Sequence, residues 1–111
     1  MIEVIVLNYL NEKLNVKCYM EKPENPPESY VLIEKTGGTE KNMIQSATLA
    51  IQSYGKTLQK AAALNEEVKK ALRDITDLDS ISRAERNSDY NFTDTSTKRY
   101  RYQAVYNFVY F

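Results

Sequence analysis

The spacing of apolar residues predicts two helices, over residues 1–14 and 55–75. In both segments apolar side chains recur every three or four positions, which is the period of one face of an α-helix. The second segment is the more regular, and its apolar positions are Leu58, Ala61, Ala62, Leu64, Val68, Ala71, Leu72 and Ile75. The first contains several valines and isoleucines, which lower helix propensity, so its prediction rests on the periodicity.

Five further segments have the β-branched and aromatic content of strands. They are residues 16–20, 30–36, 43–54, 81–92 and 97–111. Residues 43–54 also fit a helix, because Ile44, Ala47, Leu49 and Ile51 form a usable apolar stripe. A strand is favoured there, since the preceding glycine pair at 37–38 would let the chain turn back as a hairpin.

Two polar segments predict loops between these strands. The stretch "EKPENPPES" contains three prolines, whose fixed φ and missing N–H are incompatible with a helix or a central strand. The stretch "GGTEKN", residues 37–42, predicts a flexible turn or a longer loop. The element order α-β-β-β-α-β-β predicts one α+β domain over residues 1–111. We expect a mostly antiparallel sheet of about four to five strands, with two helices packed on one face.

Composition excludes several classes of function. The chain has 15 basic and 15 acidic residues among 111, which lacks the basic excess typical of proteins that bind duplex DNA. It contains no histidine and one cysteine, Cys18, so it can form neither an internal disulfide nor a Ser-His or Cys-His catalytic pair. We therefore expect no enzymatic activity, no cofactor and no metal site. No segment is apolar and long enough to span a bilayer, and the start lacks signal-peptide features, so we expect an intracellular protein.

The last strand, "KRYRYQAVYNFVYF", combines aromatic and basic residues and allows two interpretations. One face would carry Tyr100, Tyr102, Ala104, Tyr106, Phe108 and Tyr110; the other would carry Arg99, Arg101, Gln103, Val105, Asn107, Val109 and Phe111. In one interpretation the aromatics stack on the bases of single-stranded nucleic acid. In the other, which we favour, the aromatic face covers the helices and the opposite face ends in an apolar surface for a neighbouring subunit. The segment lacks the small residues of the RNA-recognition pattern.

Three phrases carry a resemblance to a known family. They are "YMEKPENPPESYVLIEKTGG", "ATLAIQSYGKTLQKAAALNEEVKKAL" and "NSDYNFTDTSTKRYRYQAVYNFVYF". Together they resemble the small tail-completion, or tail-terminator, proteins of long-tailed bacteriophages and prophages, over nearly the whole chain. The resemblance implies a small α/β protein that caps the head-proximal end of the tail tube as a homohexameric ring, ends tail polymerisation and supports head–tail joining.

The same resemblance implies the partners and the location. The partners would be further copies of the chain, the tail tube protein and a head-completion or connector protein. DNA would pass through the channel without specific binding, no membrane would be involved, and no cofactor is expected. The protein would be found in the host cytoplasm during assembly and then in the tail–neck region of the virion. Another connector protein of the phage neck is the nearest alternative, and a small single-stranded nucleic-acid-binding module is the alternative from a different class.

The resemblance supplies no motif of functional residues, so the candidate contact residues are inferred from the predicted loops and the outer face of the last strand. They are Gly37, Gly38, Thr39, Glu40 and Lys41, then Pro26 and Pro27, and finally Arg99, Arg101, Val105, Val109 and Phe111. For the two loops, a plain surface connection is the alternative interpretation.

Overall fold

A computed structural model describes all residues, 1–111, and confirms the predicted α+β class and element order. The elements are α1 (Ile2–Lys13), β1 (Cys18–Tyr19), β2 (Tyr30–Lys41), β3 (Ile44–Gly55), α2 (Leu58–Leu72), a 3-10 turn (Ile75–Asp77), β4 (Ile81–Asn91) and β5 (Tyr100–Tyr110). The α2 helix begins at Leu58 rather than at residue 55. Its N-cap is Thr57, whose hydroxyl accepts a hydrogen bond from the Lys60 N–H at 3.1 Å.

The five strands form one mixed sheet in the order β1-β2-β3-β5-β4. The short β1 pairs in parallel with β2, at Cys18 and Tyr19 alone. All other neighbours are antiparallel, so the sheet is mostly antiparallel as predicted. The β2 strand beyond Leu32 and the whole of β4 form the two open edges.

One face of the sheet packs against both helices and forms the core. The aromatic side of β5 contributes Tyr106, Phe108 and Tyr110, which are all buried, so the prediction that this side covers the helices is confirmed for that half of the strand. Tyr100 and Tyr102 at its start are half-buried. Residues from the other elements complete the cluster: Ile2, Val6, Leu10, Val31, Ile33, Leu49, Ile51, Val68 and Leu72. Burial of this apolar area is the main contribution to the stability of the fold.

The prediction of a loop at residues 37–42 is wrong. Gly37, Gly38, Thr39, Glu40 and Lys41 belong to β2, which stays paired with β3 as far as Lys41 opposite Ile44. The register shifts by one residue between positions 35 and 37, which marks a β-bulge. Neither glycine has a positive φ. A hydrogen bond of 2.6 Å between the hydroxyls of residues 39 and 46 joins the two strands beyond the bulge.

The turn of this hairpin lies at Asn42 and Met43 instead. Both residues have left-handed backbone conformations, with φ of 52° and 66°. Two central residues with positive φ give the turn whose twist matches that of the flanking strands. Asparagine adopts this conformation readily, whereas a methionine there is strained. The hairpin itself is confirmed, with its turn five residues later than the glycine pair suggested.

Candidate interaction surface

Three large apolar side chains are exposed together where the β2–β3 hairpin ends. Met43 is 86% exposed, Ile44 49% and Phe111 69%. The register pairs Gln45 with Tyr110, so Ile44 and Phe111 occupy the next positions along the two strands, beside the turn. We call Met43, Ile44 and Phe111 the apolar end. Single exposed apolar residues are ordinary on a surface, but an adjacent group of them is typical of a contact surface.

The structure divides the predicted contact residues between the two ends of the sheet. The five residues 37–41 lead to the apolar end and are all exposed. Val109 is half-buried next to Phe111, and Val105 is half-buried further along the same face of β5. Pro26 and Pro27 lie in the connection before β2, at the opposite end of that strand.

Arg99 and Arg101 also lie at that opposite end, because Arg101 pairs with Tyr54 near the end of β3. The guanidinium of Arg101 lies 4.4 Å from the centre of the Phe92 ring and donates a 3.0 Å hydrogen bond to the Tyr54 hydroxyl. It also donates to the Phe92 carbonyl at 2.6 Å. Arg101 is thus engaged within the chain, whereas Arg99 remains exposed. The tyrosines of β5 at 106 and 110 are buried in the core, so neither is available to stack on a base.

On the helix-free face of the sheet, near Arg101, polar side chains form hydrogen bonds with one another. The Gln52 amide donates to the side-chain oxygen of Gln103 at 2.8 Å, and the Tyr54 hydroxyl donates to Gln52 at 3.2 Å. The Gln103 amide donates to the hydroxyl of Tyr90 at 2.5 Å. Tyr30 stacks on Tyr54 with ring centres 4.4 Å apart, and its burial raises its pKa to about 12. Satisfied polar groups of this kind fix the side chains in place.

An open groove of about 490 Å³ lies between the C-terminal parts of α1 and α2. Its apolar lining consists of Tyr9, Leu14, Ala71 and Leu78, and its charged lining consists of Glu12, Lys13, Glu67, Lys70, Asp74 and Asp77. The Tyr9 hydroxyl donates to the Ala71 carbonyl at 2.7 Å and so connects the two helices. Lys13 lies 5.6 Å over the Tyr9 ring.

The lining of this groove carries a net negative charge. Four carboxylates face two lysines in its lining, and the C-terminal ends of two helix dipoles add to the negative potential. Burial raises the pKa of Tyr9, and the carboxylates of Asp74, Asp77 and Glu12 raise it further. The sequence offered no signal for this groove, because it depends on how the two helices are placed relative to each other.

A second polar cluster joins α2 to the edge strand β4. The Asn65 amide and the Lys69 ammonium both donate to the carboxylate of Asp89, at 3.1 and 3.3 Å. Lys69 also lies 2.7 Å from a carboxylate oxygen of Glu66. Hydrogen bonding to Glu66, and then to Asp89, raises the pKa of Lys69 even though burial opposes this. The cluster connects α2 to β4 within the chain, and the Oδ1 atom of Asn65 is its one buried polar atom without a hydrogen-bond partner.

Few other side chains could react or bind a metal ion. Cys18 is 2% exposed, and burial raises the pKa of its thiol to about 12. No group of three or more histidine, cysteine, aspartate or glutamate residues is arranged to hold a metal ion. Neither helix combines the length and the apolar character needed to cross a membrane. Comparison of the chain with protein-family models and with curated proteins gives no match.

Proposed function

We propose that this chain is a structural phage protein that caps the head-proximal end of the tail tube as a ring, ends tail polymerisation and supports head–tail joining. The proposal starts from the resemblance of three long phrases of the sequence to tail-completion proteins. The observation that carries it in the structure is the apolar end, where Met43, Ile44 and Phe111 are exposed side by side. Such a group is stabilised when another protein surface covers it.

The rest of the surface favours a protein that assembles over one that transforms a substrate. On the helix-free face near Arg101, the glutamine and tyrosine side chains form hydrogen bonds with one another. The single thiol is buried. Equal numbers of acidic and basic residues also suit a ring through which DNA slides, because a basic excess would hold the phosphates.

The first experiment is deletion of the gene in its parent phage or prophage, with tail lengths measured by electron microscopy of the lysate. Overlong or ragged tails beside unjoined full heads would support the proposal. Tails of normal length beside separate heads would move the protein to a connector role in the neck. Normal infectious particles would refute both roles, and single-stranded nucleic-acid binding would then be tested at low salt.

Complementation of this deletion tests the apolar end itself. We expect a plasmid that encodes Met43→Asp to fail to restore infectious particles, because a charge there resists burial in an interface. The matched control is Met20→Asp, which changes another partly exposed methionine (40% exposed) outside the apolar end. Full complementation by both variants would show that the apolar end is not the contact surface.

A further inference from the structure

The tip of the β2–β3 hairpin combines an apolar side chain with backbone strain and a neighbouring positive charge. Met43 is 86% exposed and has a φ of 66°, a left-handed conformation that is unfavourable for a residue with a side chain. A glycine at this position would remove the strain, since this turn type favours glycine. Within the chain Met43 packs against little, so its side chain has no evident role in the isolated fold. Lys41, two residues earlier, is exposed as well.

The groove between α1 and α2 has complementary chemistry. Its lining contains Tyr9, Leu14, Ala71 and Leu78, which offer an apolar surface, and it carries four carboxylates against two lysines. An apolar side chain next to an ammonium group fits such a site, because the first is removed from water while the second meets a negative potential. The hairpin tip presents this combination at Met43 and Lys41.

The tip and the groove lie at the same end of the molecule. The β3 strand starts at the tip, and α2 follows β3 and packs against β3 and β5. Tyr110 pairs with Gln45 near the tip and with Ile81 at the start of β4. The groove residues Asp77 and Leu78 precede Ile81 by only a few positions.

We propose that the hairpin tip of one copy, residues 41–44, inserts into the groove between α1 and α2 of a second copy. Met43 would contact the apolar lining, and Lys41 would approach the carboxylates of Asp74 and Asp77. This inference rests on the proposed function and names the contact by which neighbouring copies associate.

The shared position of tip and groove is compatible with a side-by-side assembly. Two copies that stand side by side at the same level can form the contact, and repetition of a contact between two different surfaces closes into a ring when the rotation permits. The exposed basic turn at Lys98 and Arg99 lies at the other end of the sheet. Insertion of that turn into the groove would instead stack copies end to end.

Cross-linking between two single-substitution variants tests this contact directly. Cys18 is buried, so an introduced surface cysteine is the reactive thiol of each variant. Met43→Cys places one at the tip, and Glu67→Cys places one in the groove on the exposed side of α2. The two proteins are mixed, with a size tag on one of them, and oxidised gently. The matched control mixes Glu67→Cys with Arg99→Cys. In this control the partner's cysteine lies at the opposite end of the sheet from the hairpin tip.

We expect the tip–groove mixture to give about tenfold more mixed disulfide dimer than the control mixture, because docking raises the effective concentration of the two thiols. Adding Lys41→Glu to the tip variant should lower the yield, and Asp74→Lys in the groove variant should restore it. Equal yields from the tip–groove and control mixtures would overturn the proposed contact, as would a failure of the charge reversal to change the yield.

Cross-linking and gene deletion separate the two proposals. Overlong tails after deletion, together with no preferred tip–groove cross-link, would retain the tail function and refute this contact. A specific cross-link together with normal infectious particles after deletion would retain the contact and refute the function.

Discussion

Gly55→Ala should strongly destabilise the fold, because space and not backbone conformation requires glycine at this position. Gly55 is the last residue of β3, where the chain turns towards α2, and its φ is not positive. A Cβ at this position would lie 2.5 Å from the Ala61 nitrogen and 2.8 Å from the Lys60 carbonyl carbon. Both are backbone atoms of the first turn of α2, so no side-chain rotation can relieve the clash.

The expected loss of stability depends on which part of the structure must move to admit the new Cβ. Ala61 belongs to the first turn of α2 and is fully buried, and α2 packs against β3 and β5, so the helix can move away only by disrupting that packing. Overpacking of this kind costs about 1–3 kcal/mol, and we expect the upper part of that range because the colliding atoms are backbone. For a domain of this size, 1 kcal/mol lowers Tm by about 4 °C. Gly55→Ala should therefore lower Tm by roughly 8–12 °C.

Gly37→Ala is the matched control for this measurement. Gly37 also lies in a strand without positive φ, but no atom lies within 4 Å of where its Cβ would be. Replacement should be neutral or stabilise by about 0.4–1 kcal/mol, through the lower entropy of the unfolded chain. Urea unfolding of both variants and the parent provides the comparison. Equal stability of Gly55→Ala and the parent would show that the β3–α2 connection is looser than described.

Three further predictions concern individual side chains. Thr57→Ala should cost about 1 kcal/mol in urea unfolding because it removes the N-cap of α2; an unchanged midpoint would mean that the cap contributes nothing. Glu66 and Asp89 raise the pKa of Lys69 above its ordinary value of 10.5, so this stabilisation is complete below that pH and is lost as the pH rises through the folded pKa. As the pH rises above 10.5, the parent should therefore lose more stability than Lys69→Met, and an equal loss in the two proteins would contradict the linkage. Cys18, with its pKa raised to about 12, should react with a thiol reagent at neutral pH only after unfolding, and rapid labelling of the native protein would contradict its burial.

Local sequence patterns correctly predicted the helices and strands in which apolar residues recur with a clear period. The α2 helix follows from its apolar stripe, and the antiparallel strands follow from alternation, with β5 the best example because its aromatic side is buried. The parallel pairing of the two-residue β1 with β2 could not be predicted, since it depends on where α1 returns the chain to the sheet. The predicted strand at residues 16–20 accordingly shortened to Cys18–Tyr19.

The hairpin turn shows how a strong local signal can mislead. Gly37–Gly38 resembles a turn, but pairing across to β3 continues past it, and the turn falls at Asn42–Met43. Continued cross-strand pairing with β3 outweighed the local preference for glycine in turns. The groove could not be predicted at all, because its lining comes from two helices that the sequence does not place relative to each other.

The irregular edges of the sheet have a consequence for the behaviour of the protein at high concentration. The pairing of β4 shifts register twice, at residues 82 and 87, and β2 shifts once near residue 36. Charged side chains such as Arg83, Glu85 and Lys35 also line these edges. Bulges and charges prevent two sheet edges from joining into an extended, aggregation-prone sheet. Many copies can therefore accumulate in one place without precipitating through their strands.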